Sequence, residues 1–390
     1  MKKSTTRKRN GKAVTKQMRA RMVNTAAQGR LTVGLDLGDR SSVYCILDAN
    51  GEVISKAALN TSKTGLNTLF EKMPASRVAL EVGTHSPWVS RHLAQLGHEV
   101  IVANPRQVAL IGKSSKKDDR VDAEKLARLA RVDPELLSPV RHRGEQAQVD
   151  LAMIRARATL VEAQTKLINA ARGLVKSMGE RLANCDSEQI EQASAEGLSP
   201  AVRGMVEPML KSVEDLNAQI GEYDQRIKTM EARYPEVDLL QQVYGVGTVV
   251  SPAFVLTIED AGRFRHSREV GPYLGMTPRR RQSSGSDPEL GISKQGDRGL
   301  RTLLVQAAHC LLRKGSPDTD LRRWAVAKLE AGQGEAKGGR RRGGKSRKKR
   351  VVIAVARRLA VLLHHLWVSG EVYEPLYQHR HQAAAAKAAA

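Results

Sequence analysis

The run LTVGLDLG at residues 31–38 decides how this chain folds. Its apolar and β-branched residues suit a strand, yet Asp36 interrupts them, flanked by Leu35 and Leu37. Two runs of the same kind follow, SVYCILDA (42–49) and VISKAALN (53–60), separated by the hairpin turn Asp48-Ala49-Asn50-Gly51. Beyond them come a helical stretch near Gly65–Met73, a strand RVALEVG (77–83) and a helix over Pro87–Leu96. A strand HEVIVANP (98–105) and a helix from about Asp119 to Arg131 complete the series. Three meandering strands followed by alternating helices and strands predict an α/β domain with a mixed sheet over residues 31–143.

The flanking segments read differently. Residues 1–30 carry ten Lys or Arg and no Asp or Glu, and predict a disordered basic arm. Residues 144–233 lack strand patterns. There Ile154, Val161, Ile168 and Val175 recur every seven residues, as do Leu160, Leu167 and Leu174, so a long helix with an apolar seam is expected. A break at Leu182–Ala201 and a second long helix to about Arg233 make this a coiled-coil insert. It is either a hairpin packing on itself or, the favoured reading, a spacer or oligomerisation arm, because two helices alone bury little. Residues 234–370 read as a mainly helical domain. Within it, residues 333–350 form a basic low-complexity loop with nine Lys or Arg from Lys337 to Arg350. Residues 371–390 are a tail.

At 390 residues the chain exceeds the roughly 100–200 residues of one domain. It holds 64 Lys and Arg against 41 Asp and Glu, a net charge of +23 and a pI near 10.2. Polyanions call for such an excess, because each neutralised phosphate releases condensed counterions. Aromatic residues make up only 3%, which argues against base stacking as the main binding mode. Three scattered cysteines, Cys45, Cys185 and Cys310, fit a reduced cytoplasmic protein. No apolar segment follows the basic N-terminus as a signal peptide would. Val351–Val368, broken by Arg357, Arg358, His364 and His365, reads as an amphipathic helix too polar to span a bilayer.

Glu81 ends the run Ala79-Leu80-Glu81 just as Asp36 ends Gly34-Leu35-Asp36, each with glycine two residues on. An ionised carboxylate in an apolar strand is costly unless it is paired or binds a cation. Asp119 and Asp122, three apart at the start of a helix, share one face. A lone strand aspartate is more often a hydrogen-bonded structural residue, and helix-start carboxylates also favour the macrodipole. The four together, in so basic a chain, are hard oxygen ligands suited to two Mg2+ ions, with Mn2+ as the alternative. Two such ions about 4 Å apart stabilise both the attacking and the leaving oxygen of a phosphodiester displacement.

Farther along, Gly245-Val246-Gly247 forms a Gly-x-Gly turn after an apolar helix, either a phosphate-facing hairpin or a plain capping turn. Gly271–Pro278 leads through Arg279, Arg280 and Arg281 into Ser283-Ser284-Gly285-Ser286, then Lys294 and a helix near Leu300. A serine beside glycine among arginines is either a polar loop residue or a nucleophile in a cationic pocket.

The strand Asp, the strand Glu and the segment Lys117-Asp118-Asp119-Arg120-Val121-Asp122-Ala123 resemble the DEDD-type insertion-sequence transposases. That family's motif reads Lys-Thr-Asp-Arg-x-Asp-Ala, so Asp118 replaces the usual threonine and offers a second candidate beside Asp119. The resemblance spans about Leu31 to Trp367. It implies an RNase H-like, RuvC-like domain with Asp36, Glu81, Asp119 and Asp122 as catalytic metal ligands, and a C-terminal transposase domain. There a serine before glycine attacks DNA and becomes a phosphoserine. Ser284 matches that place, with Ser283 and Ser286 as neighbouring rivals. The resemblance further implies donor and target DNA as partners and an element-encoded guide (bridge) RNA that supplies specificity by base pairing. It also implies dimers pairing into a tetramer and a nucleoid-associated bacterial protein free of membrane. The expected function is therefore RNA-guided DNA recombination. A Holliday-junction resolvase-like hydrolytic nuclease and a non-enzymatic basic scaffold are the competing readings.

Overall fold

The structure, a computed structural model, describes Met22 and residues 29–105, 119–183, 189–190, 192–279, 290–331 and 344–379. It divides into two compact units, residues 1–143 and 144–390.

In the first unit, β1 (Thr32–Asp36), β2 (Ser41–Leu47) and β3 (Val53–Asn60) form an antiparallel meander. Helix α1 (Lys63–Phe70) leads to β4 (Arg77–Glu81), and α2 (Ser86–Gln95) to β5 (Glu99–Ala103). Both of these strands run parallel to β1, which requires a crossover, and the helices supply it. The sheet order is β3-β2-β1-β4-β5. At the β2–β3 turn, Asp48 Oδ1 accepts the N–H groups of Asn50 and Glu52 at 2.9 and 2.8 Å, and Gly51 takes φ 90°.

Side chains alternate across the sheet with a period of two and so divide the core. Val33, Leu35, Val78 and Leu80 pack with Leu66, Leu69 and Phe70 of α1 and Val89 and Leu93 of α2. On the opposite face, Cys45, Leu47 and Ala79 meet α3 (Asp119–Val132) through Ala123, Leu126, Ala127 and Ala130. The small residues of α3 allow a close approach. Gly34 completes it: a Cβ there would stand 2.6 Å from the Ala127 nitrogen and nearer still to the Ala123 carbonyl oxygen.

In the second unit, α4 (Glu145–Ser177) and α5 (Pro200–Glu231) form an antiparallel hairpin. The contacts Asp150–Arg233, Arg157–Asp224 and Gln164–Asn217 step along the two helices in opposite directions. Of the expected seam, Ile154, Ile168 and Val175 are buried and Val161 is half-buried, whereas Leu174 is 40% exposed. The seam is discontinuous. One apolar cluster holds Ile154, Ile227 and Met230, another holds Ile168, Val175, Val206 and Val213, and the polar pairs lie between them.

Among the described residues the remaining α-helices are α6 (Glu236–Gln241), α7 (Val250–Ile258), α8 (Val270–Tyr273), α9 (Arg298–Leu311), α10 (Asp320–Glu330) and α11 (Gly344–Ser369). Helix α7 is buried on all sides from Ser251 to Ile258, as an all-round apolar helix must be. Helix α11 buries Val351, Val352, Val355, Ala356, Leu359, Ala360 and Leu363 in the same core. Two expectations are corrected here. The basic segment expected as a loop through residue 350 is helical from Gly344 onward. Lys and Arg are good helix formers, and the apolar stripe from Val351 sustains a helix that extends back into them. Arg347 further donates to the Lys328 carbonyl at 3.0 Å. Second, the 23-residue segment Arg347–Ser369 contains an 18-residue stretch of mean hydropathy 1.7, which by length and composition alone is apolar enough to cross a bilayer, where the sequence read as too polar. Half of that stretch is buried within this unit, where it acts as a core helix.

Candidate active site

The β1–β4 register pairs Val33 with Val78 and Leu35 with Leu80, so Asp36 and Glu81 end adjacent parallel strands at the same level. Asp36 stands opposite Val43, whose side chain packs against Ala123 and Ala127, so Asp36 faces the α3 side. Ala79, two residues before Glu81, lies in the cluster with Leu126 and Ala130, so Glu81 shares that face. Both carboxylates are half-buried.

Helix α3 runs opposite to β1. Its last turns lie at the start of the parallel strands, where Arg77 donates to the Ala130 carbonyl at 3.0 Å and Arg131 to that of Ala49 at 3.3 Å. Its first turn, with Asp119 as first residue and Asp122 one turn on, therefore lies at the strand ends that carry Asp36 and Glu81. Asp122 is 40% exposed, with Lys125 Nζ at 3.6 Å. On the same helix, Glu124 accepts from Lys56 and Arg128, and the Lys56 bond above all holds its carboxyl below the ordinary range. Burial beneath α3 pushes the Cys45 thiol up to about 11, so it is no nucleophile at neutral pH.

The loops after both strands are pinned. Thr61 donates its hydroxyl to the Gly38 carbonyl at 2.8 Å and its amide to that of Arg40 at 3.0 Å. Beyond Glu81, the buried Ser86 Oγ accepts from the Gly83 N–H at 3.0 Å and donates to its carbonyl at 2.8 Å. Sequence reasoning missed one pair here: His85 Nε2 lies 3.5 Å from Asp39 Oδ1, joining the two loops. The signal was present in Asp39 and His85, three and four residues after the strand carboxylates.

Among the described residues, no three of His, Cys, Asp and Glu are grouped closely enough to hold a metal ion. The side chains that end the two adjacent strands, Asp36 and Glu81, are both carboxylates, the ligand chemistry a hard divalent cation takes. Asp118 lies outside the described residues, as do Ser283, Ser284, Ser286, Arg280 and Arg281. What flanks those serines is described. Pro278 and Ile292 form an antiparallel bridge, the Arg279 N–H donates to Gly291 at 3.1 Å, and the Ser293 N–H donates to Thr277 at 2.9 Å. Arg301 braces this stem by donating to the carbonyls of Leu274 and Gly296 at 3.1 and 2.8 Å. Lys294 sits at its edge with φ 57°. In the Gly-x-Gly turn, Gly245 takes φ 84°, Val246 is buried and Gly247 is exposed.

Comparison with known proteins agrees with this architecture. Residues 33–179 match a DEDD transposase family of IS110 type, and residues 237–322 match the transposase IS116/IS110/IS902 family. The chain is 29% identical over 306 residues to a probable family 20 transposase of Pseudomonas aeruginosa, covering 76% of this chain and 89% of that one. It is 26% identical over 305 residues to the transposase for insertion sequence element IS1111A of Coxiella burnetii (76% and 82% covered). It is 27% identical over 293 residues to the transposase for IS1328 of Yersinia enterocolitica (72% and 84% covered). The five-stranded mixed sheet fits the RNase H-like fold of a DEDD domain, a domain that suggests a divalent metal cofactor. With both family matches in order along one chain, this protein is an insertion-sequence transposase of the IS110 family, a DNA-cleaving and strand-transferring enzyme.

Proposed function

We propose that the enzyme is an RNA-guided recombinase that cuts and rejoins DNA through the carboxylates Asp36, Glu81, Asp119 and Asp122 and the nucleophile Ser284. The observation that carries this reading is the alignment of Asp36 and Glu81 on adjacent parallel strands, on the face covered by the helix of Asp119 and Asp122. A divalent ion, Mg2+ or Mn2+, would be held by these four carboxylates and would supply charge stabilisation at phosphorus. Ser284 Oγ forms an ester with phosphorus while the bond to the departing DNA oxygen breaks, and that oxygen takes the proton. The ester conserves the bond energy needed for rejoining, which hydrolysis would lose. Arg279 and Lys294 are electrostatic helpers in this reading.

The net charge of +23 and the scarcity of aromatic residues support binding through phosphates, with sequence read by a paired guide RNA. Residues 31–143 are the carboxylate domain, 144–233 an oligomerisation arm and 234–370 the serine domain of a cytoplasmic homo-oligomer, dimer to tetramer. The test is a denaturing gel of wild type, Ser283→Ala, Ser284→Ala and Ser286→Ala with labelled DNA carrying the element's ends, together with sequencing of copurifying RNA. Ser284→Ala alone loses the covalent protein–DNA adduct. Efficient cutting with no adduct in any of the four proteins would assign the chain to the hydrolytic nucleases.

A further inference from the structure

The loop that follows Glu81 ends in a histidine whose two ring nitrogens have different partners. Trp88 Nε1 donates to His85 Nδ1 at 3.1 Å, with the two rings edge-on at 88°. An indole N–H only donates, so Nδ1 carries the lone pair and Nε2 carries the hydrogen. Ser86, fully buried and bonded to Gly83 on both sides, fixes the backbone from which His85 projects. His85 therefore presents an N–H in a set direction.

What that N–H meets is Asp39 Oδ1 at 3.5 Å, beyond good hydrogen-bond length. The Asp39 side chain is 91% exposed, so this carboxylate stands in water and is a weak tie. Asp39 follows Asp36 by three residues and His85 follows Glu81 by four. The donor thus lies between the loops that leave the two strand-end carboxylates.

We propose that His85 is a substrate-positioning residue: its Nε2–H donates to a non-bridging phosphate oxygen of the DNA strand being cut, in place of Asp39. Asp39 is the acceptor when DNA is absent, and Trp88 holds the tautomer that makes Nε2 the donor. The inference rests on the reading of Asp36 and Glu81 as strand-cleaving residues, and it adds an uncharged donor to a set composed of carboxylates.

The experiment compares strand cleavage by the full-length protein and its Asp36→Ala, Asp39→Ala, His85→Ala, His85→Gln and Trp88→Phe variants. A parallel measurement follows imidazole 15N resonances on addition of a short DNA duplex, with the His85 signals identified by their loss in His85→Gln. His85→Ala is expected to slow cleavage about 10- to 100-fold, the worth of one hydrogen bond to a charged group, at unchanged melting temperature. Trp88→Phe loses less, and Asp39→Ala cuts as fast as wild type or faster because the competing acceptor is gone. DNA shifts the His85 Nε2 signal. A structural tie between the loops predicts the reverse for Asp39→Ala, a loss equal to that of His85→Ala, and that result overturns the proposal. So does wild-type cleavage by His85→Ala, or an Nε2 signal indifferent to DNA. Wild-type cleavage by Asp36→Ala would instead overturn the underlying reading of the carboxylates.

Discussion

Gly34 of β1 lies directly beneath Ala123 of α3, so close that any side chain at position 34 would overlap the helix backbone. This contact sets the height of α3 above the sheet, and with it the distance between Asp122 and the strand-end carboxylates. Gly34→Ala therefore tests the site without touching a carboxylate. The helix must lift, at a cost of about 1–3 kcal/mol in stability. Strand cleavage should fall more than ten-fold while bulk nucleic-acid affinity stays near wild type. Urea unfolding and a cleavage time course on the same preparation check both.

His98 is buried, accepts the Ser76 N–H at Nδ1 (3.2 Å) and donates from Nε2 to the Phe70 carbonyl (3.0 Å). Both bonds suit the neutral ring, and burial lowers its pKa below the ordinary value. His142 is lowered likewise, by burial first and then by Arg91 and Arg143. A group lowered in this way binds its proton in the unfolded chain first. The stability these histidines contribute is complete above the ordinary histidine range and declines as pH falls through it. Thermal melts of unit 1 between neutral and mildly acidic pH should show this loss, and His98→Gln should flatten the slope.

Asp150, 1% exposed, accepts from Arg233 at 2.6 Å, Tyr234 at 2.7 Å and Gln146 at 3.1 Å, joining the start of α4 to the end of α5. Burial, reinforced by the Asp150 carboxylate, pushes the Tyr234 hydroxyl up to about 12. Asp150→Ala leaves these donors without their acceptor and should cost about 3 kcal/mol. Chemical denaturation followed by circular dichroism measures it, and proteolysis should then cut the helical hairpin faster.

Lys348 and Lys349 are exposed on the first turns of α11. If both contact phosphate, replacing them with Gln makes the log–log salt dependence of nucleic-acid affinity shallower by about 2, near 0.9 per contact. Filter binding across a salt series reads the slope. An unchanged slope would mean that this turn is merely solvated.

The strand runs, the helices and the two strand-end carboxylates were legible in the amino-acid sequence, because propensity, periodicity and the oddity of Asp36 and Glu81 in apolar runs are local properties. The heptads of α4 were legible as helix but not as packing. Arg157–Asp224 and Gln164–Asn217 interrupt the seam, and an α-helix cannot reveal from its own residues which partner side chain faces it. The basic run before Val351 looked like a loop by composition, yet the core contacts of the residues after it carry a helix back to Gly344.

Residues far apart in the chain decided the rest. Sequence alone shows five strands; only the fold places β1 beside β4, bringing Asp36 and Glu81 level, and sets α3 on the face they share. Nothing in LTVGLDLG reveals that its glycine makes room for Ala123, nor in GTHSPW that His85 would meet Asp39. Local sequence determines what each segment can become, through steric preference and apolar period. Which segments become neighbours depends on long-range burial and on the exclusion of overlapping backbone, and that only the tertiary structure decided.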